Sequence, residues 1–327
     1  MQLHMLSAAA QSPAGTNIVL AQGGGMAAPH SPIGSRRRLG AELRRLRNDA
    51  GLTLDEVAGR MTCSTSKISR LETGKGIPKV PDVRELMRIY GVGSEATESE
   101  LLRLVHDARE HGWWEPLADA VQPERYVLDS PGRYPALEND ATSAWTFSAS
   151  LVHGLLQTED YARAMSNAFL PHHSTEDIDR LVELRAKRQD ALLRSDPPPL
   201  ELVALLDEAV LNRQVGGPEI MTAQLRHIRD LTELPSVTVH VLPFVAGALR
   251  AHVGDFTILG IPEALGSDVV FTEGHAGDSY LDSKSDVDRY REVHVDALRQ
   301  ALDEDGSGAL IDRYVQVHRH PSGRRDP

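Results

Sequence analysis

Apolar residues recur at helical spacing from residue 39 onward. Leu39, Leu43 and Leu46 share one helix face, and Gly51 follows as a left-handed stop. Thr53 with Glu56 three residues on has the form of a capping box, in which hydroxyl and carboxylate reciprocally satisfy free amides. Leu54, Val57, Ala58 and Met61 then make the apolar face of a second helix. After a short turn Ser64 is placed to cap a third helix, with Ile68 and Leu71 inward and Thr65, Ser66, Lys67 and Arg70 outward. Gly74 stops it. Val83, Leu86, Met87 and Tyr90 predict a fourth helix, ending at Gly91. Leu101, Leu104, Val105 and Ala108 predict a fifth, opened by a second capping box of Thr97 and Glu100.

Past residue 141 the texture changes. Strands are predicted at 141–151 and 200–206, and helices from Thr158 to 169, over 175–193 and over 218–234. The 175–193 helix carries i,i+4 pairs such as Glu183 with Lys187, and the Asp196-Pro197-Pro198-Pro199 run bars its continuation. Short β-branched or aromatic runs at 237–242, 256–261, 269–273 and 279–282, separated by Gly- and Pro-containing turns, predict a largely antiparallel sheet. Helices at 284–302 and 308–317 close the chain. The expected fold is therefore an all-α five-helix bundle over 36–112, a linker or loop over 113–140, and an α+β domain over 141–317 with a mainly antiparallel sheet. Residues 1–35 and 318–327 lack periodic apolar positions and are expected to be disordered tails.

A short turn between two small amphipathic helices is the helix-turn-helix pattern, and the outward face of its second member offers donors and no acid. Such a face suits phosphates and base edges; an ordinary helical hairpin with a solvated polar face is the alternative. Charge bears on the choice. The 327-residue chain has a formal charge of −12, yet residues 31–80 hold eleven bases against five acids, a local +6 that leaves −18 elsewhere. Positive potential is thus focused where phosphates would meet the third helix, and the acidic remainder limits indiscriminate binding.

The segment resembles the phage-repressor (XRE, Cro/CI-type) helix-turn-helix, with Leu52-Thr53-Leu54-Asp55-Glu56-Val57-Ala58 and Ser64-Thr65-Ser66-Lys67-Ile68-Ser69-Arg70-Leu71-Glu72-Thr73-Gly74 matching its pattern. Leu54 replaces the glutamine that often opens the family's second helix and touches the DNA backbone. Thr62 replaces the usual turn glycine, which implies a slightly different turn. The resemblance implies a double-stranded DNA operator and a homodimer reading two half-sites, and the basic segment and exposed third helix make Arg36, Arg37, Arg38, Thr53, Ser64, Thr65, Ser66, Lys67, Arg70 and Lys75 the candidate DNA contacts.

The second region resembles the C-terminal domain of WhiJ-like regulators of actinomycetes. The resemblance is carried by Gly154-Leu155-Leu156-Gln157-Thr158-Glu159-Asp160-Tyr161-Ala162, Leu206-Asp207-Glu208-Ala209, Val215-Gly216-Gly217-Pro218, Val241-Leu242-Pro243-Phe244 with Gly247, and Tyr280-Leu281. It implies a small BldB-like partner protein. Trp113 and Trp114, at the end of the bundle, are expected to pack between the two domains.

Chemistry that would suggest an enzyme is missing from the sequence. There is no His-Glu-x-x-His, Cys-x-x-Cys, Gly-x-Ser-x-Gly or phosphate-binding Gly-x-x-x-x-Gly-Lys, so no catalytic residue, metal or cofactor is expected. His172-His173 lacks a third ligand at helical spacing, and one acid of Asp207-Glu208 reads as a cap or an ion-pair partner. The single cysteine, Cys63, excludes an internal disulfide and reads as a packed turn residue in a cytoplasmic protein. The expectation is a transcriptional regulator whose second domain responds to a partner protein or ligand. The alternative is an antitoxin-like component that neutralises a small partner.

Overall fold

The computed structural model describes residues 32–74, 76–109, 112–114, 117, 132–274 and 277–320. Helices α1 (Pro32–Asp49), α2 (Leu54–Arg60), α3 (Thr65–Glu72), α4 (Val80–Tyr90) and α5 (Glu95–Asp107) form the amino-terminal bundle. Its core gathers Leu39, Leu43, Val57, Ile68, Val83, Leu86, Leu101 and Leu104, the same positions that the helical period marks as inward. Two boundaries differ from expectation. Helix α1 begins at Pro32, inside the stretch assigned to a tail, because proline suits a first turn whose amides have no partner. Helix α5 is capped by Ser94, whose hydroxyl accepts from Thr97 N, so Thr97 lies within the helix.

The stretch expected to be a loop contains helix α6 (Arg133–Asp140), in which Pro135 falls in the tolerant first turn. There follow β1 (Ser143–Ser148), α7 (Glu159–Phe169), α8 (Thr175–Arg188), β2 (Glu201–Asp207), α9 (Glu208–Asn212), α10 (Pro218–Leu231) and β3 (Val237–Leu242). Strands β4 (Phe256–Gly260), β5 (Val269–Thr272) and β6 (Ser279–Leu281) precede α11 (Lys284–Leu298) and α12 (Glu304–Arg319). Helix α12 runs past residue 317 into the presumed tail, and His318 is buried, its Nε2 2.8 Å from Leu211 O.

The six strands form one sheet in the order β3-β2-β1-β4-β5-β6. It is mixed rather than mainly antiparallel: β1 pairs with β2 and β2 with β3 in parallel, while β4, β5 and β6 continue antiparallel. Helices between β1, β2 and β3 supply the crossovers that parallel neighbours need, whereas β4 to β6 are joined by short turns. Alternate residues face opposite layers. Ala144, Leu202, Ala204, Val239 and Leu259 meet α6, α7, α10 and α12, and Phe147, Leu205, Phe256, Ile258 and Val270 meet α11.

Candidate nucleic-acid interface

Local sequence rules assemble the α2–turn–α3 unit. The capping box at Thr53 is present: Glu56 N donates to Thr53 Oγ1 at 3.3 Å and Thr53 N donates to Glu56 Oε2 at 2.8 Å. Ser64 Oγ accepts from Lys67 N at 3.2 Å and so starts α3. Between them Thr62 has φ 52, the left-handed region that glycine favours. The chain therefore keeps a left-handed turn residue despite carrying threonine. Cys63 is half-buried against the bundle core.

Helix α3 is fixed to α1 from behind. A Cβ on Gly40 would fall 2.6 Å from Leu71 O, so glycine is what permits the two backbones to approach. Arg47 forms a bidentate pair with buried Glu72 (2.7 and 3.0 Å) and also donates to Leu52 O at 2.8 Å. Hydrogen bonding to Glu72 raises the Arg47 pKa, against the opposing effect of burial. Arg44 joins at 3.6 Å. Glu72, an acid within the reading helix, is thereby turned away from the exposed face.

The structure brings Thr65, Ser66, Lys67 and Arg70 together on α3, with Ser66, Lys67 and Arg70 exposed. Thr65 Oγ1 donates to Asp55 Oδ1 at 2.7 Å, and Lys67 Nζ lies 2.9 Å from Asp82 Oδ2. The three arginines preceding Leu39 are engaged elsewhere. Arg36 Nε donates to Ala108 O at 2.8 Å, and Arg38 pairs with Glu100 at 2.8 Å. Arg37 donates to Ser267 O at 2.5 Å, crossing to the second domain. Burial pushes its pKa below the usual arginine value, while the carboxylates of Asp140, Asp282 and Asp268 oppose that shift. Lys75 lies outside the described residues.

Trp114 is buried against Ala136 of α6 and Leu184 of α8, and Trp113 meets it edge to face at 5.7 Å. Both tryptophans thus dock the end of the bundle's chain onto helices of the second domain. Asp207 caps α9 through Ala209 N (2.8 Å) and lies 2.9 Å from His252 Nε2, while Glu208 accepts from Phe244 N and Tyr314 Oη. Among the described residues, no group of three His, Cys, Asp or Glu could hold a metal ion, and no helix is long and apolar enough to cross a membrane.

Sequence reasoning missed the role of Arg37. The three-arginine run gave no sign that its middle member meets acids more than a hundred residues away.

A helix-turn-helix domain model matches residues 38–101, and the chain is accordingly a DNA-binding regulator of the helix-turn-helix class. A domain of unknown function (DUF5753) matches residues 132–313, more than half of the chain, which therefore belongs to the DUF5753 family. No curated protein and no solved structure matches it.

Proposed function

We propose that the chain is a sequence-specific transcriptional regulator of the XRE type, WhiJ-like, acting in the cytoplasm without enzymatic activity. It binds a double-stranded operator as a homodimer through α3, and its second domain responds to a small BldB-like partner protein or a ligand. The observation that carries this reading is α3 itself. A capped, rigidly backed helix exposes Ser66, Lys67 and Arg70 on one face, inside the basic segment of an otherwise acidic chain. Recognition helices present their amino-terminal residues to the major groove, so Thr65, Ser66 and Lys67 are assigned to base edges. A homodimer follows from the few base pairs that one short helix can read.

Selection of bound sequences from random DNA tests this with wild type, Ser66→Ala and Lys67→Ala. The expected result is a short preferred site whose affinity falls steeply with salt and whose preferences change in the variants. An affinity indifferent to salt, or unaltered preferences in both variants, rejects it. Light scattering that shows only monomer, alone and on DNA, rejects the dimer. A partner that binds without changing operator affinity moves the reading to an antitoxin-like role, since equal binding to two states shifts no equilibrium.

A further inference from the structure

The chain leaves β1 toward β2 and β3 on one side and returns as β4 on the other. The carboxyl end of β1 therefore lies beside the amino end of antiparallel β4. A cavity of about 90 Å³ lies there, beyond the carboxyl end of β1. At roughly 10–15 Å³ for each water-sized site, it has room for a small molecule and not for a nucleotide.

Its walls are aromatic, and His153, Arg185 and Arg188 bring donors to it beside Asp255 and Glu273. Phe147, Phe256, Phe271 and Tyr134 come from β1, β4, β5 and α6. The His153 ring accepts from Leu155 N at Nδ1 (3.3 Å), so a neutral ring carries its proton on Nε2. That nitrogen lies 3.4 Å from both Tyr134 Oη and Thr257 Oγ1, long contacts that leave the N–H poorly satisfied. Burial drives the His153 pKa down to about 3, and the charges adding to that shift are Arg188 and Arg185. Arg188 is held by Glu138 in a bidentate pair, and Arg185 donates to Gln157 Oε1 at 3.3 Å. The lining also carries two acids, the exposed Glu273 and Asp255, whose pKa burial raises.

We propose that this cavity binds a small organic carboxylate with an apolar body. The carboxylate faces Arg185 and His153, and the body sits among Phe147, Phe256 and Phe271. This inference rests on the reading of the second domain as a responsive one, and it names the site of response. The route to DNA is a set of packed helices. Tyr134 and Glu138 belong to α6, whose last residue, Asp140, abuts α1 so closely that a Cβ on Gly34 would fall 2.4 Å from its Oδ2. Helix α1 in turn holds α3 through Gly40 and the Arg47–Glu72 pair.

The test is calorimetric titration of the full chain with benzoate, with benzamide as its neutral counterpart, and with inorganic phosphate as an anion lacking the apolar body. Benzoate should bind, with benzamide and phosphate at least about tenfold weaker, and Arg185→Gln should weaken benzoate by about tenfold at unchanged melting temperature. Should Arg185→Gln fail to fold, Thr257→Val removes a lining donor at constant shape and should also weaken benzoate. Absence of benzoate binding, equal binding of benzamide, or undiminished affinity in the folded variant overturns the site. Affinity for the selected DNA is then measured with and without saturating benzoate. Binding that leaves this affinity unchanged preserves the site and removes the sensing reading, so the two failures are separable.

Discussion

Lys67, on the exposed face of α3, lies 2.9 Å from Asp82 at the start of α4, so its ammonium is already paired when the reading helix meets DNA. The pair is partly exposed and worth little, about 0–1 kcal/mol, which lets phosphate or a guanine edge displace the carboxylate. It nonetheless sets a threshold. If Lys67 reads a base edge as proposed, nonspecific contacts must compete with Asp82, and a well-placed base edge should do so most effectively.

Asp82→Asn should consequently strengthen binding to both operator and unrelated DNA, by up to about fivefold, and narrow the ratio between them. Competition binding at fixed salt measures both affinities. An unchanged ratio would show that Asp82 takes no part in discrimination.

The Arg47–Glu72 pair is of a different kind, because Glu72 is almost fully buried. Glu72→Ala strands Arg47 in the α1–α3 seam and should cost about 3 kcal/mol in urea unfolding, with a parallel loss of operator affinity. Replacing both members with Met and Leu should recover much of the stability. A single-variant loss under about 0.5 kcal/mol would mean that water reaches the pair.

Thr62 occupies a left-handed conformation that costs a β-branched residue roughly 1 kcal/mol. Thr62→Gly relieves that strain but gives the unfolded chain more freedom, so the net gain should be about 0.5 kcal/mol. Chemical denaturation decides the sign. A loss of stability on substitution would show that the threonine side chain contributes more than its backbone strain removes.

These residues also show what a sequence discloses. The caps at Thr53 and Ser64 act within three residues, so spacing alone places α2 and α3. Strand direction is another matter. Alternating apolar positions mark β1 and β2 equally well in either sense, and parallel pairing depends on intervening helices that return the chain to the same edge. Ser94 and Thr97 are each chemically fit to cap α5, and packing of Leu101 and Leu104 decides between them. The cavity at His153 was illegible for the same reason as the Arg37 contact: its walls come from α6, β1, β4 and β5, and no local pattern records their convergence. Cys63 and Asp207, whose roles are set by adjacent residues, were readable.

Two histidines whose pKa values are lowered in the fold make stability pH-dependent. Burial pushes His294 down to about 4, and burial with the two neighbouring arginines pushes His153 down to about 3. Both are neutral in the fold at pH 7, as they are in the unfolded chain, so neither affects stability there. Below about pH 6.5 the unfolded chain takes up protons that the folded chain refuses, and stability falls by up to about 1.4 kcal/mol per pH unit for each ring until the folded pKa is reached. His294 bonds Thr146 O through Nε2 at 3.2 Å, a contact that a glutamine amide can imitate. Unfolding of wild type and His294→Gln from pH 7 to 5 should show a shallower slope in the variant. Equal slopes would remove His294 from the acid response.

Arg37 gives the last expectation, since it ties the DNA-reading bundle to the second domain. Its bond to Ser267 O lies among Asp140, Asp268 and Asp282, beside Gly266, whose own Cβ would fall 3.1 Å from Arg37 Nε. Arg37→Met keeps an aliphatic stem and removes the charge, taking away part of the positive charge that offsets Asp140, Asp268 and Asp282 across the seam. The interface should weaken by about 3 kcal/mol, and calorimetric unfolding, expected as one transition in wild type, should separate into two. Salt distinguishes this effect from simple loss of packing: screening relieves repulsion among the acids, so added salt should bring the two transitions of the variant back together. Separation that persists unchanged in high salt would assign the role of Arg37 to its hydrogen bond with Ser267 O rather than to charge balance.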